Sequence, residues 1–91
     1  MKFASRFGEI ELTEERQRHI LTFHPEVRAH IKYLSKTLAS SKTIRHSKFD
    51  LNVIIFYSEL IEEKYLAIVV KTNTRNFILT AYTTNKIKHL L

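Results

Sequence analysis

The chain contains no cysteine, which excludes a disulfide framework and thiolate chemistry and leaves histidines and carboxylates as the only strong metal ligands. Tryptophan is absent too, and glycine and proline occur once each, as Gly8 and Pro25. So few chain breakers exclude Gly-rich or Pro-rich low-complexity organisation. With 44% hydrophobic residues there is enough apolar surface to offset the entropy lost on ordering. No stretch approaches the apolar length that crosses a bilayer, and the opening run MKFASRFGEIELTEE has no apolar segment of the signal-peptide kind. The expectation is a soluble, cytoplasmic chain with no membrane association and no cofactor. Its 91 residues make one domain, 1–91, whose core is adequate without staples.

Acid is scarce as well. Fifteen Lys and Arg against nine Asp and Glu leave a net charge of +6, which favours a polyanionic partner. Five of the nine acids fall between Glu9 and Glu26, and Glu59, Glu62 and Glu63 cluster at one turn. Between Val27 and Phe49 come Arg28, Lys32, Lys36, Lys42, Arg45 and Lys48 with no acid among them; after Glu63 come Lys64, Lys71, Arg75, Lys86 and Lys88, again unopposed. Two such blocks can form one basic surface if helix and sheet edges converge.

The most informative stretch is Lys64–Thr84, KYLAIVVKTNTRNFILTAYTT. Two runs rich in β-branched and aromatic residues, Tyr65–Val70 and Phe77–Tyr82, flank the polar turn Thr72 to Arg75 and predict a hairpin. A turn centred on Asn73 and Thr74 sets Lys71 opposite Asn76, Val69 opposite Ile78, Ala67 opposite Thr80 and Tyr65 opposite Tyr82. Strand alternation then places Leu66, Ile68, Val70, Phe77, Leu79 and Ala81 on an apolar face. Tyr65, Lys71, Asn76, Thr80 and Tyr82 share the other face with Ala67, Val69 and Ile78.

Upstream, Phe3–Leu12 predicts one short strand bent at Gly8. Thr13 has the chemistry of a helix N-cap, and Glu14 and Glu15 suit the positive end of the helix dipole. That helix runs to about Thr22 and points Ile20 and Phe23 to the core. Pro25 disfavours helical geometry at His24 and suits the first turn of a new helix, so His24 sits at a corner. A second helix, Pro25 to about Leu38, carries Val27, Ile31, Leu34 and Leu38 as an apolar stripe and Arg28, Lys32 and Lys36 as a basic ridge. Thr43–His46 and Leu51–Tyr57 predict two more strands, Ser58–Glu63 a connection, and Leu90 and Leu91 a docked tail. The expected fold is α+β: two N-terminal helices packed on a three- to four-stranded antiparallel sheet.

His19 and His24 are not an i, i+4 pair and no third ligand cluster accompanies them, so no metal site is expected. Taken singly, each histidine reads as a surface or capping residue. Beside a basic, hydroxyl-lined sheet they suit RNA cleavage, because the 2′-OH is a built-in nucleophile and only a base, an acid and transition-state donors are needed. Histidine fits either proton role. Lys71 or Arg75 can supply charge, and Thr80 and Tyr82 can bond the phosphate.

The order HILTFHPEV, a strand ending in Lys (YLAIVVK) and a strand ending in TAYTT resembles the small phage- and toxin-associated branch of the barnase/EndoU/colicin/RelE-like ribonuclease superfamily. The resemblance covers Arg18–Thr84 and implies helices packed on an antiparallel sheet, metal-independent RNA cleavage, and a toxin neutralised by an antitoxin protein. It implies His24, Lys71, Thr80 and Tyr82 as site residues, with His19 a further candidate. Lys71 then stabilises the anionic transition state, while Arg28, Lys32, Lys36, Arg75, Lys86 and Lys88 hold flanking phosphates. The rival reading is a non-catalytic nucleic-acid- or protein-binding module using the same basic face.

Overall fold

The computed structural model describes residues 1–61 and 63–87. Glu62 of the acidic turn, the RNA-facing candidate Lys88, His89, and the Leu90 and Leu91 tail lie outside the described residues. Strands β1 (Lys2–Ser5) and β2 (Gly8–Glu11) open the chain, followed by helix α1 (Glu14–Phe23), a run of 3₁₀ turns (Pro25–Tyr33) and helix α2 (Leu34–Ser40). Strands β3 (Thr43–His46), β4 (Val53–Ile61), β5 (Lys64–Thr72) and β6 (Asn76–Thr84) complete it. All six strands form one sheet in the order β1-β2-β6-β5-β4-β3. The last four are antiparallel neighbours, as short links require, but β2 runs parallel to β6 through the Glu11 and Phe77 pair.

The expected three- to four-stranded antiparallel sheet is therefore corrected to a six-stranded mixed one. Phe3–Leu12 is a hairpin, not a single strand. Ser5 makes the turn: its hydroxyl accepts from Phe7 N–H at 3.1 Å and donates to Gly8 O at 2.8 Å. Gly8 has φ +100°, a conformation that side chains with a Cβ rarely adopt. Two polar links fasten this hairpin beside β6: Arg75 pairs with Glu11 at 2.7 Å and Asn76 Nδ2 donates to Phe7 O at 3.0 Å, while Ile10 is fully buried beneath. The sheet curls around its core side, because Phe7 meets Phe56 of β4 edge to face with ring centroids 5.9 Å apart.

Thr13 caps α1 as its hydroxyl predicts, accepting from Arg16 N–H at 3.1 Å with Glu14 and Glu15 in the first turn. Ile20 is buried, but Phe23 is 66% exposed and leaves the core. The second helix is split. Pro25–Tyr33 winds as 3₁₀ turns, in which positions four apart lie about 120° apart rather than stacked. Val27 is buried and Ile31 only half-buried, and only Leu34 and Leu38, on α2, continue the stripe. Arg28 and Lys32 accordingly do not form one ridge with Lys36.

Leu66, Ile68 and Val70 of β5, at 0% exposure, meet Ile10, Leu12, Ile20, Val27, Leu34 and Leu38 in the main core. Burying side chains of this size stabilises each by about 1.5–3 kcal/mol. Leu66→Ala is expected to cost about 2–5 kcal/mol in chemical denaturation. Thr37 gives a test of opposite sign. Its side chain is buried and Oγ1 has no hydrogen-bond partner among the described residues, so Thr37→Val, which replaces the hydroxyl with a methyl, should stabilise by about 1 kcal/mol. Unchanged or lower stability in that variant would contradict the packing described for α2.

Candidate functional site

The β5–β6 hairpin closes through three residues, Asn73 to Arg75, because Thr72 pairs with Asn76. Lys71 then faces Phe77, and Val70 faces Ile78. Beyond that pair the register slips by one more residue at Leu79, so Val69 meets Thr80 and Ala67 meets Tyr82. The two-residue turn expected from Asn73 and Thr74 placed each of these pairs differently. The bulge has a packing cause: it lets both Ile78 and Ala81, three residues apart, face the helix-side core.

Thr80 and Tyr82 remain on the opposite face with Ala67, Val69 and Lys71, whereas Ile78 and Asn76 leave it. Along that face the polar groups form a strip. Lys71 is two residues from the level of Thr80, roughly 7 Å at strand rise, and four from that of Tyr82, roughly 13 Å.

At one end of the strip stands His24. Its backbone N–H closes α1 on Ile20 O at 2.7 Å, and its carbonyl accepts from Val27 N–H at 3.0 Å, so the corner set by Pro25 fixes the residue from both sides. The imidazole lies beside the Tyr82 ring, centroids 5.9 Å apart, and its Nδ1 is 3.8 Å from Glu26 Oε2. That distance is an ion-pair contact rather than a hydrogen bond. The same carboxylate oxygen accepts from the Thr83 backbone N–H at 3.4 Å, so Glu26 ties the histidine corner to β6. The His24 side chain is 37% exposed, which leaves it open to a ligand.

Tyr82 is half-buried among Tyr57, Tyr65, Ala67 and Ile87. Burial, with the Tyr57 hydroxyl bonded beside it, pushes its phenol above the usual tyrosine range, so it keeps its proton through neutral pH and acts as a donor. Tyr57 and Ile87 also border a groove of about 360 Å³ whose rim carries Lys36, Lys42 and Tyr65. Ser41 holds the groove's floor in place, its hydroxyl donating to the Tyr57 carbonyl.

At the other end Lys71 is paired with Asp50. Asp50 also accepts from Asn52 N–H at 2.9 Å, and the Lys71 hydrogen bond is the main reason its carboxyl lies below the usual range. Arg75 is likewise neutralised by Glu11. Arg28, Lys32, Lys36 and Lys86 are exposed and pair with no carboxylate among the described residues. Lys32 instead lies 5.5 Å over the Tyr33 ring. His19 stacks on Phe23 of its own helix, centroids 4.7 Å apart, and is not joined to the His24–Tyr82 pair.

Glu26, Tyr57 and Asp50 were not among the residues singled out from the sequence. Glu26 had a signal, lying two residues after His24 across a proline. Asp50 had none, since its partner is twenty-one residues away. No group of three or more His, Cys, Asp or Glu side chains is placed to hold a metal ion among the described residues. No helix among them is long and apolar enough to cross a membrane. Compared with known proteins, the chain matches no family model, no curated protein and no solved structure.

The Asp50–Lys71 pair sets a pH expectation. Because the folded carboxyl is lowered, its contribution is full above the ordinary aspartate value of about 3.9 and is lost as pH falls through the folded value. Asp50→Asn should therefore lose less stability than the native chain between pH 5 and pH 2, both numbers being approximate bounds of that window. Thermal melts across the range check this; parallel curves for the two proteins would contradict it.

Proposed function

We propose that the chain is a metal-independent endoribonuclease that uses the 2′-OH of RNA as its nucleophile, with proton transfer at the His24, Glu26 and Tyr82 corner. The observation that carries the reading is the approach of the His24 ring to Tyr82, 5.9 Å between centroids, with Glu26 3.8 Å behind Nδ1. The pair sets a proton acceptor and a proton donor side by side, with a carboxylate beside the imidazole.

In this reaction the 2′ oxygen attacks the adjacent phosphorus, its proton passes to His24, and the bond from phosphorus to the 5′ oxygen breaks. Tyr82 donates a proton to the departing 5′ oxygen. The products are a 2′,3′-cyclic phosphate and a free 5′-hydroxyl, so atoms and charge balance without water or a cofactor. Thr80, one strand position pair away on the same face, hydrogen-bonds the phosphate. Lys36 and Lys42 at the groove rim attract the flanking backbone. Lys71 is already paired with Asp50, so its place in the proposal is at the strip's far end rather than at the scissile phosphate. The net positive charge that draws RNA also suits neutralisation by an acidic antitoxin protein, and that toxin role belongs to the same proposal.

The test is a labelled mixed-sequence RNA incubated with purified protein in EDTA, with the new 3′ ends characterised. Cleavage that leaves 2′,3′-cyclic phosphate, falls about 10²- to 10⁴-fold in His24→Ala and falls less in Glu26→Gln supports the reading. Tyr82→Phe should lower turnover while leaving RNA affinity nearly native. RNA left intact by the native protein, or cut equally by His24→Ala, would overturn the assignment; salt-sensitive binding without cleavage would leave the rival module.

A further inference from the structure

The loop between β3 and β4 presents its largest apolar side chains to water. Phe49 is 92% exposed and Leu51 79%, the two most exposed large hydrophobic residues described. This is not a frayed segment. Phe49 N–H donates to Ser47 Oγ at 3.2 Å, Ser47 N–H to Val53 O at 2.8 Å, and Val53 N–H to Asp50 O at 2.9 Å. Asp50, between the two apolar residues, turns inward, where it accepts from Asn52 N–H and pairs with Lys71. Thr72 N–H and Oγ1 both bond Asn52 O, at 2.6 and 2.9 Å, clamping the loop's exit to β5. The loop backbone is held in a shape that points Phe49 outward, which lowers the ordering cost when a ligand arrives.

Its charge says what that ligand is. Lys48 extends its ammonium 5.9 Å over the Phe49 ring, and Arg45 lies near the loop end of β3. The sole acid in the loop, Asp50, is already taken by Lys71. A flat aromatic face beside unopposed cations fits a polyanion carrying flat π-surfaces better than it fits an apolar groove or an acidic helix.

Resting on the ribonuclease reading, we infer that the β3–β4 loop is a stacking platform for an unpaired nucleobase of single-stranded RNA. Phe49 offers the ring face and Lys48 contacts the adjoining phosphate. Through the Asp50–Lys71 pair the platform adjoins the Lys71 end of the strip that leads past Thr80 to Tyr82 and His24. A single strand stacked at Phe49 is thereby directed along β6 toward the proposed chemistry.

The experiment is fluorescence anisotropy with a labelled, fully 2′-O-methylated single-stranded RNA, which lacks the nucleophile and stays intact. Phe49→Ala should weaken binding about 5- to 100-fold, the range of one lost base–aromatic stack. Phe49→Leu, which keeps the apolar bulk, should weaken it nearly as much, and Phe49→Trp should restore it. Lys48→Gln should lower the slope of log affinity against log salt by about one unit. The exposure of Phe49 leaves the fold intact in each variant. Native affinity in Phe49→Ala, or full affinity in Phe49→Leu, overturns the platform and makes the loop a contact for an apolar surface such as a protein or a lipid. If that happens while the native chain still cleaves RNA, the ribonuclease reading stands alone. Phe49-dependent binding without cleavage keeps the platform and overturns the enzyme, and no binding by the native protein at low salt overturns both.

Discussion

The middle of one strand, Leu66 to Ile68 of β5, is shut off from water on both faces. Leu66, Ile68 and Val70, each at 0% exposure, face the helices, and Ala67, also at 0%, lies beneath Tyr57, Tyr65 and Tyr82. A strand so enclosed needs partners on both edges to satisfy its backbone, and β4 and β6 supply them along its whole length. Covering its two faces demands two separate clusters. The helical segment and the β1–β2 hairpin cover one; tyrosines and Ile87 cover the other. The candidate site is a by-product of that second cover, since small Ala67 is what lets Tyr82 settle against the sheet and face His24.

The bulge at Leu79 reconciles the two demands. Without it, Ile78 and Ala81 could not both enter the helix-side core while Thr80 and Tyr82 stay on the other face. With it and the three-residue turn together, Thr80 sits two positions nearer to Lys71 than an unbroken two-residue hairpin would set it. The polar strip is thus continuous from the Asp50–Lys71 pair to the His24 corner, and its two ends are chemically unlike. One is a neutralised ion pair beside a rigid loop; the other is a half-open imidazole between a carboxylate and a phenol.

Local chemistry was legible in the sequence, and long-range pairing was not. Thr13 with Glu14 and Glu15 marked the start of α1, and Pro25 marked the corner at His24, because caps and proline act within a few residues. The β-branched runs marked β5 and β6. The β1–β2 hairpin was missed because its second strand, GEIE, buries only Ile10 and reads as charged surface. Its parallel contact with β6 joins Glu11 to Phe77 across sixty-six residues, which no local pattern reports. The spacing of Val27, Ile31, Leu34 and Leu38 fits an α-helix, yet the chain winds Pro25–Tyr33 as 3₁₀ turns, so a helical period alone overstated the basic ridge. Of the candidate site, His24 and Tyr82 are brought together, Thr80 lies between them and Lys71, and His19 stands apart on Phe23.

The proposed reaction requires RNA to lie along this strip rather than only on the exposed Arg28 and Lys32 of the helical segment. Nuclear magnetic resonance titration of the labelled protein with a 2′-O-methylated RNA maps the contact surface directly. Amide shifts concentrated at His24, Thr80 to Thr83 and Lys71, with the His24 ring resonances moving in step, are the predicted result. Shifts confined to Arg28 and Lys32, or none at all at saturating RNA, would contradict it.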